Sequence, residues 1–423
     1  MLALLLLLGR PDAGRAHPMP NSAVLLDVHR TGIDAELQIP LVELQSAWGH
    51  AVNDSSARLV ERLGPALRAY LRAHVRPMTM TGAPWTVSVG RLAVVETQNP
   101  INGVYRELTA HLHLTPPDGQ VRQFLFGYDV VLHQVMTHTI LVSVRQDWAG
   151  GQVVETGHQP LGTIQLDIVN NRIRPLPVNL ASGSRWAGFK AMVRLGMQHI
   201  ADGTDHLLFL LVLLLPAPLL AAGGQWGRFG GVRYGLRRLG LIVTAFTGGH
   251  SLTLLLGTLG WVRLPAQPVE LLIALSILVS AIHAIRPLFA GREAWVAAGF
   301  GLIHGLAFAS TLVNLQLDTA DLALSLLGFN LGIELMQLLV IGLTIPWLML
   351  LSRTTGYRYL RVGGALLAGL AALAWLTERS TGQANPLTRG IEQAVAYTPY
   401  ALALLALLAL GAAWRGRLAS AGH

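Results

Sequence analysis

The chain has 423 residues, of which 52% are hydrophobic and only 13% charged. Soluble domains carry about 25% charged residues, so this is an integral membrane protein. It has a soluble part as well, because the long apolar runs are confined to the region after Gly188. The net charge of +8 is almost entirely arginine, with Lys190 the single lysine. The arginines sit largely between apolar runs, which makes them topology-setting charges rather than the footprint of a nucleic-acid binder. No cysteine is present, which excludes a disulfide framework and thiolate ligands. Any metal must be held by His, Asp, Glu, Asn or backbone oxygens.

Met1 to Leu8 is apolar, too short to span a bilayer, and followed by small residues, which predicts a signal peptide over 1–16. Residues 17–180 show period-two alternation in Ala23–His29, Ile33–Pro40, Thr86–Val89, Leu108–Leu114, Ile140–Val144 and Thr163–Ile168, separated by Gly, Pro, Asn and Asp. This predicts a soluble, antiparallel β-rich domain, a sandwich, outside the cytoplasmic membrane. Ser55–His74 has leucines at helical spacing and is expected as an inserted helix. His111 and His113 would share one strand face, which makes them a candidate metal pair. The domain is also a candidate for recognising a partner protein.

Residues 181–195, with Arg185, Trp186, Lys190 and Arg194, predict an amphipathic segment at the headgroup level. A transmembrane domain over 196–414 follows, with spans expected at about 196–216, 239–260, 268–286, 294–315, 322–350, 362–377 and 397–414, and a tail over 415–423. The fold class is thus an α-helical polytopic membrane protein of about seven transmembrane helices, preceded by the β-rich domain. With that domain outside, the inner loops and tail hold eleven arginines (228, 233, 237, 238, 286, 292, 353, 358, 361, 415, 417) and the outer loops three (263, 379, 389). This asymmetry predicts a cytoplasmic (inner) membrane protein with its C-terminus in the cytoplasm.

Ionisable groups are expensive in lipid unless they face a protein interior or a ligand. The first span opens with His199, Asp202, Asp205 and His206; the second holds His250, the third Glu270, Ser276 and His283, the fourth His304, and the fifth Asn330 and Glu334. On a continuous helix His199, Asp202 and His206 share one face, with Asp205 to the side. Glycines flank the set, at 203, 248, 249, 301, 305 and 332, and small residues let helices approach closely. His283 lies at the inner end beside Arg286 and is expected to be hydrogen-bonded in place. The remaining group predicts an intramembrane site for a divalent transition metal: imidazole and carboxylate without thiolate suit Ni, Co, Zn, Fe or Mn.

At these residues the chain resembles the HupE/UreJ family of hydrogenase and urease accessory membrane proteins, in its longer branch with an extra-cytoplasmic N-terminal domain. The resemblance rests on His199, Gly203, Asp205 and His206, then Gly249-His250-Ser251, Glu270 with Ala274-Leu275-Ser276, His304-Gly305, and Asn330 with Glu334, over roughly 196–345. Ile200 stands where shorter members often have Pro, and five residues rather than the four of nickel–cobalt transporters separate His199 from Asp205-His206. The resemblance implies a nickel (or cobalt) permease. His199, Asp205 and His206 would be its metal-selecting ligands, with His250, His304 and Glu334 beyond them. It favours Asp205 where same-face geometry favours Asp202.

The leading expectation is inward conduction of a divalent metal, nickel first, by a transporter without a nucleotide-binding motif. Two alternatives stand beside it. One is an intramembrane metal-dependent hydrolase acting on a lipid-type substrate, with Glu270 or Glu334 as general base. The other is a metal-dependent assembly or sensor protein.

Overall fold

The computed structural model describes residues 21–53, 56–99, 103–153, 157–262, 264–313, 315, 317–383, 385–395 and 397–421. The signal peptide expected at 1–16 lies outside them. The chain divides into two compact units, Met1–Gly183 and Ser184–His423.

The first unit is built from β1 (Ser22–Val28), β2 (Ile33–Pro40), α1 (Leu41–Trp48), α2 (Leu59–His74), β3 (Val75–Thr79), β4 (Thr86–Asn99), β5 (Gly103–Thr115), β6 (Gln123–Tyr128), β7 (Ile140–Asp147), β8 (Gln152–Val153), β9 (Gln159–Ile164), β10 (Leu166–Asp167), β11 (Arg172–Ile173) and β12 (Leu176–Asn179). A large sheet runs β4-β5-β2-β1-β7-β8, with β9 also on β7, and a smaller one runs β12-β6-β3. Side chains of both sheets meet in one core, where Leu26, Leu37 and Leu112 join Phe124, Phe126 and Val178. Alternation sets the register: Ile33, Ala35, Leu37 and Ile39 lie opposite Leu114, Leu112, Ala110 and Leu108, all buried. The expected antiparallel pattern needs one correction, because β1 and β7 pair in parallel. A parallel neighbour needs a long crossover, and everything from β2 to β6 lies between these two strands.

The same register gathers charge on the other face. Asp34 lies opposite His113 and Glu36 opposite His111. Asp34 accepts hydrogen bonds from His113 Nδ1 at 2.6 Å and His29 Nε2 at 3.2 Å. Arg145 grips Asp27 with Nε and Nη2 at 2.9 and 2.5 Å and reaches Glu36 with Nη1 at 2.6 Å. The His29 bond, helped by that of His113 and opposed by burial, lowers the Asp34 carboxyl to about 2. A lowered carboxylate stabilises the fold above its unfolded value and ceases to do so as pH falls through its folded value. Asp34→Asn should therefore destabilise this domain by about 1 kcal/mol at pH 6, after discounting for solvent screening, and by nothing near pH 2. Unfolding midpoints of the two proteins at both pH values check this, and an equal gap at both would refute it.

The second unit comprises α3 (Arg185–Asp202), α4 (Thr204–Leu214), β13 (Leu219–Ala222), β14 (Gln225–Phe229), α5 (Val232–Thr258), α6 (Ala266–Ile285), α7 (Glu293–Val313), α8 (Thr319–Leu351), α9 (Tyr357–Thr381), α10 (Pro386–Val395) and α11 (Thr398–Ala421). Among the described residues α5, α6, α8 and α9 are long and apolar enough to cross a membrane, while Thr204–Leu214, Glu293–Phe308 and Thr398–Trp414 are shorter apolar helices. Where the sequence predicts seven spans, four helices meet the length. The expected first span, 196–216, is cut in two between α3 and α4. From Arg185 onward the expected headgroup-level segment is the start of α3, which packs along α8.

Contacts at the helix ends fix the direction of each helix. At one end Arg238 of α5 pairs with Glu293 of α7 at 2.6 Å, and Tyr357 of α9 donates to the Leu215 carbonyl just after α4 at 2.6 Å. There too Arg361 of α9 bonds the carbonyls of Ala284 and Ile285 in α6, and Arg353, after α8, lies over Phe229 of the β13–β14 hairpin. At the other end Glu270 of α6 pairs with Arg379 of α9 at 3.3 Å, and Arg185 of α3 with Asp321 of α8 at 2.9 Å. Helices α4, α6 and α8 therefore finish where α5, α7 and α9 begin.

Two helix pairs touch backbone to backbone. A Cβ at Gly301 or Gly305 of α7 would stand 2.1 or 2.2 Å from the Phe246 or His250 carbonyl of α5. A Cβ at Gly332 of α8 would meet the Val193 carbonyl of α3 at 2.1 Å. These contacts carry His199, His250 and His304 inward on closely docked helices.

Candidate metal centre

The break between α3 and α4 shapes the first part of the site. Gly203 leaves helical geometry (φ −73°, ψ 91°), its N–H donates to the His199 carbonyl at 3.2 Å, and its own carbonyl accepts from Leu207 at 3.0 Å. A Cβ there would lie 2.7 Å from both the His199 carbonyl and His206 Nδ1, and 3.3 Å from Asp205 Oδ1. The bare backbone thus lets the His199 and His206 rings meet edge to face with centroids 4.7 Å apart. The break also alters the face argument made for a continuous helix. Asp202 is the last residue of α3 and is exposed. Asp205 opens α4, where its Oδ1 accepts from the His206 backbone N–H and from His206 Nδ1, both at 2.9 Å. The first turn of a helix suits a carboxylate, because its free N–H groups carry partial positive charge.

Two further imidazoles join this pair. His304 of α7 lies 5.0 Å from His206 and His250 of α5 lies 6.3 Å from His199, centroid to centroid, and both are fully buried. The partners set the tautomers. His206 donates Nδ1–H to Asp205, which leaves the Nε2 lone pair buried without a partner. Ser276 Oγ spends its hydrogen on the Ile273 carbonyl at 2.7 Å, so it accepts from His304 Nε2–H at 3.1 Å, and His304 Nδ1 keeps a buried, unpartnered lone pair. His250 has the Asn330 side chain as its hydrogen-bonding neighbour, and among the described residues neither of its ring nitrogens makes a well-aligned bond. Asn330, beside His250, donates to the Leu326 carbonyl at 2.8 Å and leaves its Oδ1 without a donor. A wall of rings closes the cluster. Phe308 and Phe329 stack at 4.2 Å against His199, and Phe209 and Phe246 lie 5.4 and 5.2 Å from His304.

Glu270 and His283 have partners of their own outside this cluster. Glu270 is tied to Arg379, a cation within electrostatic reach of Asp205. Glu334 is half-buried on α8 and, among the described residues, forms no ion pair. His283 accepts at Nδ1 from the Leu288 and Phe289 N–H groups and stacks on Phe289 at 3.7 Å, while its buried Nε2 lies 3.9 Å from Glu293 Oε1 without a hydrogen bond, so the expectation of a ring hydrogen-bonded in place is met at one nitrogen. His111 and His113 face Glu36 and Asp34, and His113 is held by Asp34. Sequence reasoning missed Gly203 as a helix break and the aromatic wall. A glycine between closely spaced histidines is the available signal for the first; the second has none, since phenylalanine in an apolar helix is unremarked.

Among the described residues no three His, Asp or Glu side chains stand close enough to clasp an ion as they are. The donor chemistry nonetheless fits one. Neutral imidazoles with buried lone pairs are metal ligands in waiting, and a carboxylate holding the far nitrogen of a ligating His is the usual outer support of such a ligand. Buried nitrogens that accept no hydrogen bond are otherwise a cost of about 1–3 kcal/mol each.

Apolar helices running in alternating directions, several of them long enough to cross a bilayer, define a membrane protein. Residues 178–379, just under half of the chain, match the family model described as HupE / UreJ protein. No curated protein and no solved structure matches it significantly.

Proposed function

We propose that the chain is an inward permease for a divalent transition metal, nickel first and cobalt next, with His206, His250 and His304 as its selecting ligands and His199 beside them. The observation that carries this reading is the pair of fixed tautomers, which leaves His206 Nε2 and His304 Nδ1 buried, unpartnered and on adjoining rings. Asp205 acts through His206. It orients the ring and offsets part of the ion's charge where an unpaired charge is expensive. Few, weak and neutral ligands favour transit over permanent capture. On this reading α3 and α4 together make the first of seven passes. The arginines of the α4–α5, α6–α7 and α8–α9 connections, gathered at one end of the helices, face the cytoplasm, and the β-rich domain lies outside. A hydrolytic role with Glu270 as general base finds less support, because Arg379 engages that carboxylate.

The test is nickel accumulation in cells expressing the chain. Asp205→Asn keeps the shape of the side chain but removes the carboxylate that fixes the tautomer, and should lower apparent metal affinity roughly 10- to 100-fold. Accumulation equal to that of the parent would overturn the assignment.

A further inference from the structure

A second polar feature lies at the arginine-rich end, apart from the histidine cluster. A cavity of about 710 Å³ opens between the β13–β14 hairpin, the end of α6 and the α8–α9 connection. Arg286, Arg358 and Arg361 line it, together with Thr354 and Thr355, and its lining holds no carboxylate. The hairpin turn is Gly223-Gly224, both at positive φ (56° and 72°), the geometry of a two-residue turn that glycine adopts without strain. With no side chain there, the Arg286 guanidinium comes to 4.0 Å from where a Cβ of Gly224 would stand.

Arg361 makes this cavity more than a wet surface. It is only 5% exposed. Its Nη1 is committed to the carbonyls of Ala284 and Ile285, and among the described residues its buried Nε has no partner and no carboxylate pairs with it. Arg238, at the same end and also enclosed, has Glu293 at 2.6 Å. A buried guanidinium served only by carbonyl dipoles lacks a counter-charge, and burying an unpaired ion is strongly unfavourable. The fork geometry of guanidinium matches tetrahedral oxyanions, and hydroxyls such as those of Thr354 and Thr355 complete such sites.

We infer that this cavity is a binding site for a phosphate-bearing anion, with Arg361 as its buried floor and Arg286 and Arg358 at its rim. The phosphate belongs to an anionic lipid headgroup at the membrane surface or to a soluble phosphate, and both offer the same chemistry to the arginines. The site is independent of the metal reading.

The experiment follows the thermal unfolding midpoint of the full chain in detergent, since a ligand that binds only the folded state raises it. Dispersed phosphatidylglycerol, dispersed phosphatidylcholine and inorganic phosphate are titrated separately. A saturable rise with phosphatidylglycerol alone assigns the lipid headgroup, and a rise with inorganic phosphate as well assigns the soluble anion. No rise with either, or an equal rise with phosphatidylcholine, overturns the proposal. The double variant Arg286→Gln with Arg358→Gln, both at exposed positions, should keep the parent's basal midpoint and weaken the response about tenfold; an unchanged response also overturns it. Arg361→Met should lose the response while its basal midpoint holds or rises, because the uncompensated charge is gone. If that variant does not fold, the rim variant alone decides.

Discussion

Alanine in place of His206 or His304 should reduce nickel binding to the purified protein by roughly 100-fold or more, whereas Asp202→Asn should leave it within about twofold. The contrast follows from the break at Gly203. His206 Nε2 and His304 Nδ1 are the buried lone pairs whose tautomers are fixed from outside the cluster, by Asp205 and Ser276. Asp202 ends α3 in an exposed position, although a straight helix would put it between the two histidines of the motif. His283→Ala serves as a control for the loss of a buried imidazole, because that ring accepts from backbone N–H groups at the arginine-rich end. Isothermal titration or equilibrium dialysis in detergent reads the affinities. Binding that survives His206→Ala, or that falls with Asp202→Asn, would remove the cluster from consideration.

Valine at Gly305 should prevent α5 and α7 from docking and destabilise the membrane unit by about 3 kcal/mol or more. A Cβ there would stand 2.2 Å from the His250 carbonyl and 2.3 Å from Thr253 Oγ1. Backbone cannot rotate away as a flexible side chain can, so the helices must separate, and His250 would move with its own carbonyl. Gly299, on the same helix, has open space around its Cβ position, and Gly299→Val should stay within about 0.5 kcal/mol of the parent. Unfolding midpoints and monodispersity in mild detergent separate the two. Equal behaviour would mean that the α5–α7 contact does not hold the bundle together.

Much of the β-rich domain was legible because its signal is local. The alternation in Ile33–Pro40 and Leu108–Leu114 names the buried faces, and the register then follows from matching them. The parallel pairing of β1 with β7 was not legible, since nothing in Ser22–Val28 marks a partner so distant along the chain. In the membrane unit His199, His206, His250 and His304 stood out as costly groups in hydrocarbon, and the structure brings all of them together. Glu270 stood out equally but is engaged by Arg379. Position along a span gives depth and not azimuth, and in a helix apolar all round no stripe shows which side faces protein. The pairing of Glu270 with Arg379 depends on α9 returning beside α6, which no local pattern announces.

The Gly203 break has a consequence for how the protein is made. At 1.5 Å per residue, the 11 residues of Thr204–Leu214 extend about 17 Å, little more than half of the roughly 30 Å hydrocarbon layer. The 18 residues of α3 ahead of it include Arg185, Lys190, Arg194 and Asp202, a poor substrate for the insertion machinery. Neither piece is a self-sufficient anchor. The partner against which α3 lays its backbone, at Gly328 and Gly332, emerges from the ribosome more than a hundred residues later. Seating of His199 in the histidine cluster therefore waits on synthesis of α8, so that a chain truncated before it holds every histidine of the cluster and yet lacks the helix against which α3 docks.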